Sequence, residues 1–270
     1  MNFSGLEKAF TRAIYYSFSK RRLLLTFPTL ILCGVLAVFC RALSLDANPW
    51  ISLALSFLPF FLVAGILLAL GVLLAKMYPK DIARAKVNVK RLIGSSMDLV
   101  IGVTYVALPP LLIYIFLWIV LGFFFLIREI PAVGEFFSII FSFAPFLLIF
   151  GSLLLCVANL AILFFVTPAV NLLSVRKGSW IKIILSFLNV RIFSATILFV
   201  IGALPLLFTF YLLLVSAHLT NTSFFVEAGS LAVALKWFFM MIPFAAILSP
   251  AMVFFFNFSS ESYSLLQEKK

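Results

Sequence analysis

The sequence predicts an all-α integral membrane protein of six transmembrane helices. They are expected to be proline-kinked and grouped as three parallel helix-hairpin repeats, with basic interfacial helices on the cytoplasmic side. Three observations predict this. The 270 residues are 65% hydrophobic and only 11% charged, with a mean hydropathy of +1.24. Soluble chains hold about 45–50% apolar and about 25% charged residues. Two runs of 29 residues, 47–75 and 99–127, contain no Asp, Glu, Lys or Arg. Between them lies KMYPKDIARAKVNVKRLIGSSMD, with six basic side chains. A charge at the bilayer centre costs at least about 2.5–3.5 kcal/mol, so the uncharged runs cross a membrane and the basic segment stays at a water interface. The apolar excess extends from Leu23 to Phe258, which makes 1–270 a single polytopic domain.

A span needs about 20 apolar residues. On that measure the spans fall at about 23–43, 51–75, 99–127, 138–168, 192–217 and 231–258. The first follows a basic lead, but its 18-residue run 23–40 exceeds a signal-peptide core of about 7–15 residues, so it is expected to stay as an uncleaved span. Every span contains proline: Pro28, Pro59, Pro109 with Pro110, Pro145 with Pro168, Pro205, and Pro243 with Pro250. A proline inside a helix removes an amide donor and crowds the preceding turn, so bends are expected.

Orientation follows from the cations. Lys8, Arg12, Lys20, Arg21 and Arg22 precede the first span, and Lys76, Lys80, Arg84, Lys86, Lys90 and Arg91 separate the second and third. Arg176, Lys177, Lys182 and Arg191 separate the fourth and fifth, and Lys269 and Lys270 end the chain. Seventeen of the 20 Lys and Arg thus lie on one side, predicting cytoplasmic termini. Three of these segments, about 3–22, 76–98 and 171–191, repeat apolar residues at helical spacing, as in Phe3, Leu6, Phe10, Ala13, Ile14 and Phe18. They fit helices lying among headgroups, each leading into an odd-numbered span. Lys20, Arg21, Arg22, Lys80, Arg84, Lys90, Arg91, Arg176, Lys177 and Arg191 are the expected topology and headgroup contacts, with anionic lipid as the partner.

An internal repeat underlies the hairpin grouping. SFLPFFL at 56–62 matches SFAPFLL at 142–148, and Ala107-Leu108-Pro109 matches Ala203-Leu204-Pro205. Parallel repeats are one architecture of transporters.

Little chemistry is legible. The spans hold no carboxylate away from their ends, and there is no His-Glu-x-x-His, Gly-x-Ser-x-Gly or phosphate loop. No catalytic residue, cofactor or metal ligand is expected; Cys33, Cys40 and Cys156 lie in apolar runs far from the single His218. The net charge of +11 sits at span ends, where it sets topology rather than binding nucleic acid. Asn159, Ser152, Tyr105 and Asn257 are the candidates for a polar interior. The competing reading is that they hydrogen-bond between helices as packing contacts.

The opening AFTRAIYYSFSKRRLLLTFPTLIL and the stretch TPAVNLLSVRKGSWIKIILSFLNVRIF resemble a group of bacterial six-helix inner-membrane proteins. The group includes the membrane domain found beside glycerophosphodiester phosphodiesterases. The resemblance implies a bacterial inner-membrane location and carries over no catalytic motif. The expectation is a non-catalytic scaffold or accessory component of an envelope or transport system, with an unidentified membrane-protein partner. The alternative is a small-solute permease with a path between the repeats.

Overall fold

In a computed structural model, residues 3–45, 47–83, 94, 96, 100–128, 130, 134, 135, 139, 143–172, 180–224 and 230–267 are described. They form α1 (Phe3–Ser17), α2 (Lys20–Leu43), α3 (Pro49–Ile82), α4 (Leu108–Arg128), α5 (Ala144–Leu172), α6 (Trp180–Phe224) and α7 (Ser230–Gln267). Among the described residues, six stretches are long and apolar enough to cross a membrane: Lys20–Leu43, Trp50–Ile82, Val100–Arg128, Ala144–Val170, Phe193–Thr220 and Leu235–Leu266. Each overlaps an expected span.

Proline decides several boundaries. Pro49 opens α3, where the first-turn amides have no intrahelical acceptor and a missing donor is harmless. Pro109 and Pro110 likewise fall in the first turn of α4. They cannot donate to the carbonyls of Tyr105 and Val106 four residues back, and the chain tightens there into the 3-10 turn Tyr105–Ala107. Pro145 sits second in α5. Pro28, Pro59, Pro79, Pro168, Pro205, Pro243 and Pro250 are carried inside helices. The repeated strings therefore take different local forms. Pro59 is interior where Pro145 starts a helix, and Pro109 starts a helix where Pro205 is interior.

Two helices overrun their expected spans. α3 continues through Met77 and Tyr78, both buried, to Ile82. α7 continues nine residues past Phe258 to Gln267. The segment 180–191 is continuous with the fifth span inside the 45-residue α6, which reaches about 68 Å at 1.5 Å per residue. Residues 84–93, 95 and 97–98 of the 76–98 segment, and 173–179 of the 171–191 segment, lie outside the described residues.

α7 is the hub, touching α1, α2, α3, α5 and α6, while α4 packs against α3 and α5. From Ala251 to Ser259 every α7 side chain is buried, as expected of a helix surrounded by others. Phe164 of α5 meets Phe255 and Phe258 of α7 at ring-centroid distances of 5.4 and 6.4 Å, and Phe199 of α6 at 5.8 Å. Close approach is made by glycine. A Cβ on Gly202 would stand 2.6 Å from Phe164 Cε2 and 2.9 Å from Phe258 Cδ1, so α6 fits only without a side chain there. Gly71 plays the same part in α3 against Phe256 and Thr167.

The chain ends meet. Arg12 pairs with Glu261, a Cβ on Gly5 would lie 3.4 Å from a Leu265 methyl, and the Ala13 carbonyl accepts from Asn257. α1 and the last turns of α7 thus share one end of the bundle. The apolar face of α1 is largely used in this contact: Ala9 and Ala13 are buried, and Phe10 lies edge-on to Phe254 at 5.3 Å. Ile14 and Phe18 stay exposed.

Candidate functional site

Three successive cations, Lys20, Arg21 and Arg22, begin α2. Successive helical residues are turned by 100°, so three in a row cannot all face outward from a helix packed on one side. Lys20 and Arg21 are exposed, and Arg22 turns inward with no accessible surface. This corrects the expectation that Arg22 contacts headgroups. Its Nε donates to Asp81 Oδ2 at 2.8 Å, and its Nη1 donates to Asn257 Oδ1 at 2.5 Å. Nη2 lies 2.8 Å from the same Asp81 oxygen, an ion-pair contact at an angle that makes no hydrogen bond. The guanidinium lies 4.9 Å from the Tyr78 ring centroid and 5.7 Å from that of Tyr16. A buried cation is tolerable only when paired and hydrogen-bonded, and aromatic faces add to that.

A second charged group adjoins the first. Glu261 Oε1 accepts the Tyr78 hydroxyl at 2.6 Å and the Arg12 Nη1 at 3.3 Å. Asn257 Nδ2 donates to the Ala13 carbonyl at 3.4 Å. Side chains from α1, α2, α3 and α7 are thereby joined through Tyr78, Asp81, Asn257 and Glu261. One turn deeper on α2, the buried Thr26 hydroxyl has no hydrogen-bond partner. The sequence reading missed Asp81, Tyr78 and Glu261 in this role because Asp81 and Glu261 lie past the apolar runs. The available signal was an acidic residue in each overrun, one helical turn or so from the span end.

The expected polar interior does not assemble. Asn159 is buried in α5 and its Nδ2 donates to the Phe60 carbonyl of α3 at 3.2 Å; its Oδ1 has no hydrogen-bond partner. Ser152 is buried and donates to its own helix at Leu148. Asn257 is buried but belongs to the Arg22 cluster. Tyr105 is 64% exposed and faces away from the bundle, a correction. The buried face of its segment runs through Val103, Ala107, Pro110, Tyr114, Trp118 and Leu121, and Tyr105 is opposite in helical phase.

Pro59 is bracketed by two interhelical hydrogen bonds, Asn159 to Phe60 and the Tyr114 hydroxyl to the Ala54 carbonyl at 2.5 Å. The Phe61 and Tyr114 rings stack with centroids 4.4 Å apart. This bracing is the packing role foreseen for interior amides.

Lys80 is exposed at the same end as Lys20 and Arg21, and Lys76 Nζ donates to Ser96 Oγ at 2.9 Å. Arg84, Lys90, Arg91, Arg176 and Lys177, and the side chain of Arg191, lie outside the described residues. Among the described residues no three His, Cys, Asp or Glu are grouped to hold a metal.

Long apolar helices around a central helix buried through Ala251–Ser259 define a polytopic, all-α, multi-pass membrane protein. Comparison of the chain with protein-family models, curated proteins and solved structures finds no match.

Proposed function

We propose that this protein is a non-catalytic scaffold or accessory component of a bacterial inner membrane, acting beside an envelope or transport system. Its termini are cytoplasmic in this reading, with Lys20, Arg21 and Lys80 at anionic headgroups and a second membrane protein as partner. One observation carries the reading: most interior polar side chains of the spans bond to their own helix or brace a neighbouring one, and they do not line a shared path. Ser152, Thr167 and Ser249 return their hydroxyls to carbonyls four residues back, Asn159 braces α3, and phenylalanine fills the space around α7. The unpartnered Oδ1 of Asn159 favours the second reading, a small-solute permease, because buried polar atoms without partners mark ion and solute pathways in membranes.

Water access separates the two. In a variant lacking the three cysteines, Asn159→Cys and Ser152→Cys are expected to resist a small impermeant thiol reagent while exposed Lys80→Cys reacts. Labelling at Asn159→Cys, together with solute flux into proteoliposomes, would overturn the scaffold reading in favour of the permease.

A further inference from the structure

α1 is a short amphipathic helix at one end of the bundle. It is joined to α2 through Phe18 and Ser19, with Ser19 extended at φ −64° and ψ 120° and no side-chain cap on the following helix. Its contact with α7 uses small and apolar residues (Gly5, Leu6, Ala9, Phe10 and Ala13), one hydrogen bond from Asn257 to the Ala13 carbonyl, and a single ion pair whose Arg12 side chain is 48% exposed. Each group that α1 helps to cover keeps a partner without it. Glu261 still accepts from Tyr78, Asn257 still accepts from Arg22, and Arg22 still pairs with Asp81. Detachment therefore strands no buried charge, the usual reason that opening a polar cluster is prohibitive.

α1 also has a second place to rest. Ile14, Tyr15 and Phe18 are exposed on the helix, with Lys8 and Arg12 beside them. An apolar edge flanked by cations suits the headgroup plane of a bilayer. The helix thus carries one face for α7 and another for the membrane surface.

We propose that α1 is a hinged cover latched by the Arg12–Glu261 pair. Swung about residues 18–19 onto the bilayer surface, it opens the Arg22–Asp81–Asn257 cluster to water. The site beneath presents the guanidinium paired with Asp81, and an unpartnered threonine hydroxyl one turn deeper.

The test uses the full chain in nanodiscs, where both faces are accessible, with Cys33, Cys40 and Cys156 replaced by alanine. Ala9→Cys, buried against α7, reports opening through its rate with an impermeant maleimide. Arg12→Glu is expected to raise that rate by up to about fivefold, the equilibrium equivalent of losing an exposed ion pair. Arg12→Lys is expected to leave it within about twofold, since the charge persists. Added salt should speed labelling in the parent and not in Arg12→Glu, because screening acts on the pair. Ala64→Cys, in the core, should stay unreactive in every background. Equal rates in Arg12→Glu and Arg12→Lys would overturn the latch. So would parallel reactivity at Ala64→Cys, which would mean that the whole bundle loosens.

Discussion

At the scale of single residues, Arg22 sets the energetics of its neighbourhood. Removing one partner of a buried pair leaves a charge without compensation, whereas replacing both by apolar groups restores packing. Asp81→Asn is accordingly expected to destabilise the fold by about 3–5 kcal/mol, and Arg22→Met with Asp81→Leu by much less. Thermal unfolding in detergent, monitored by loss of helical signal, measures both; equal losses would mean that the pair is not the source. Tyr114→Phe removes a donor from the Ala54 carbonyl while keeping the ring stacked on Phe61. A loss of about 0.6–2 kcal/mol is expected, the range for interhelical hydrogen bonds in membranes. Composition identified Asn159 and Asn257 as buried amides. Their partners were not legible, because Phe60 lies 99 residues and Arg22 235 residues away in sequence. Nor was the inward turn of Arg22 written in its charge; only helical phase together with a packed neighbour specifies it.

Among the elements, the seam of α5, α6 and α7 is closed at a glycine. Gly202→Ala is expected to destabilise by about 1–3 kcal/mol through overpacking, and Phe164→Leu, which removes the atom 2.6 Å from the new methyl, should relieve part of it. Gly122→Ala, whose methyl would meet Trp50 at an ordinary 3.6 Å, should be nearly neutral in the same unfolding assay. Spans were readable because charge exclusion from a bilayer acts on sequence directly. Their ends were less readable. Tyr78 and Glu261 prolong α3 and α7 because they find partners in one another's helices, and such contacts leave no mark in local hydropathy. The proline strings carried the break at Tyr105–Ala107 in plain view, since two adjacent residues without amides cannot continue an α-helical ladder.

For the whole molecule, six crossings and the contact between the ends give the same answer by independent routes. An even number of spans returns the chain to the side on which it began, and Gly5 beside Leu265 requires the same. Reporters fused to the two termini, a fluorescent protein and a phosphatase active only outside the cytoplasm, are expected to agree on the side at both ends; opposite sides would contradict the fold. The meeting of the ends also imposes an order on biosynthesis. Arg22 emerges early, and its Asn257 partner follows 235 residues later, roughly 10–50 s at ribosomal rates of about 5–20 residues per second. Through that interval the first helices wait in the bilayer around a hub that has not yet been translated. A nascent chain interrupted before α7 leaves Arg22 without Asn257 and Tyr78 without Glu261, so the polar cluster is completed only when α7 arrives.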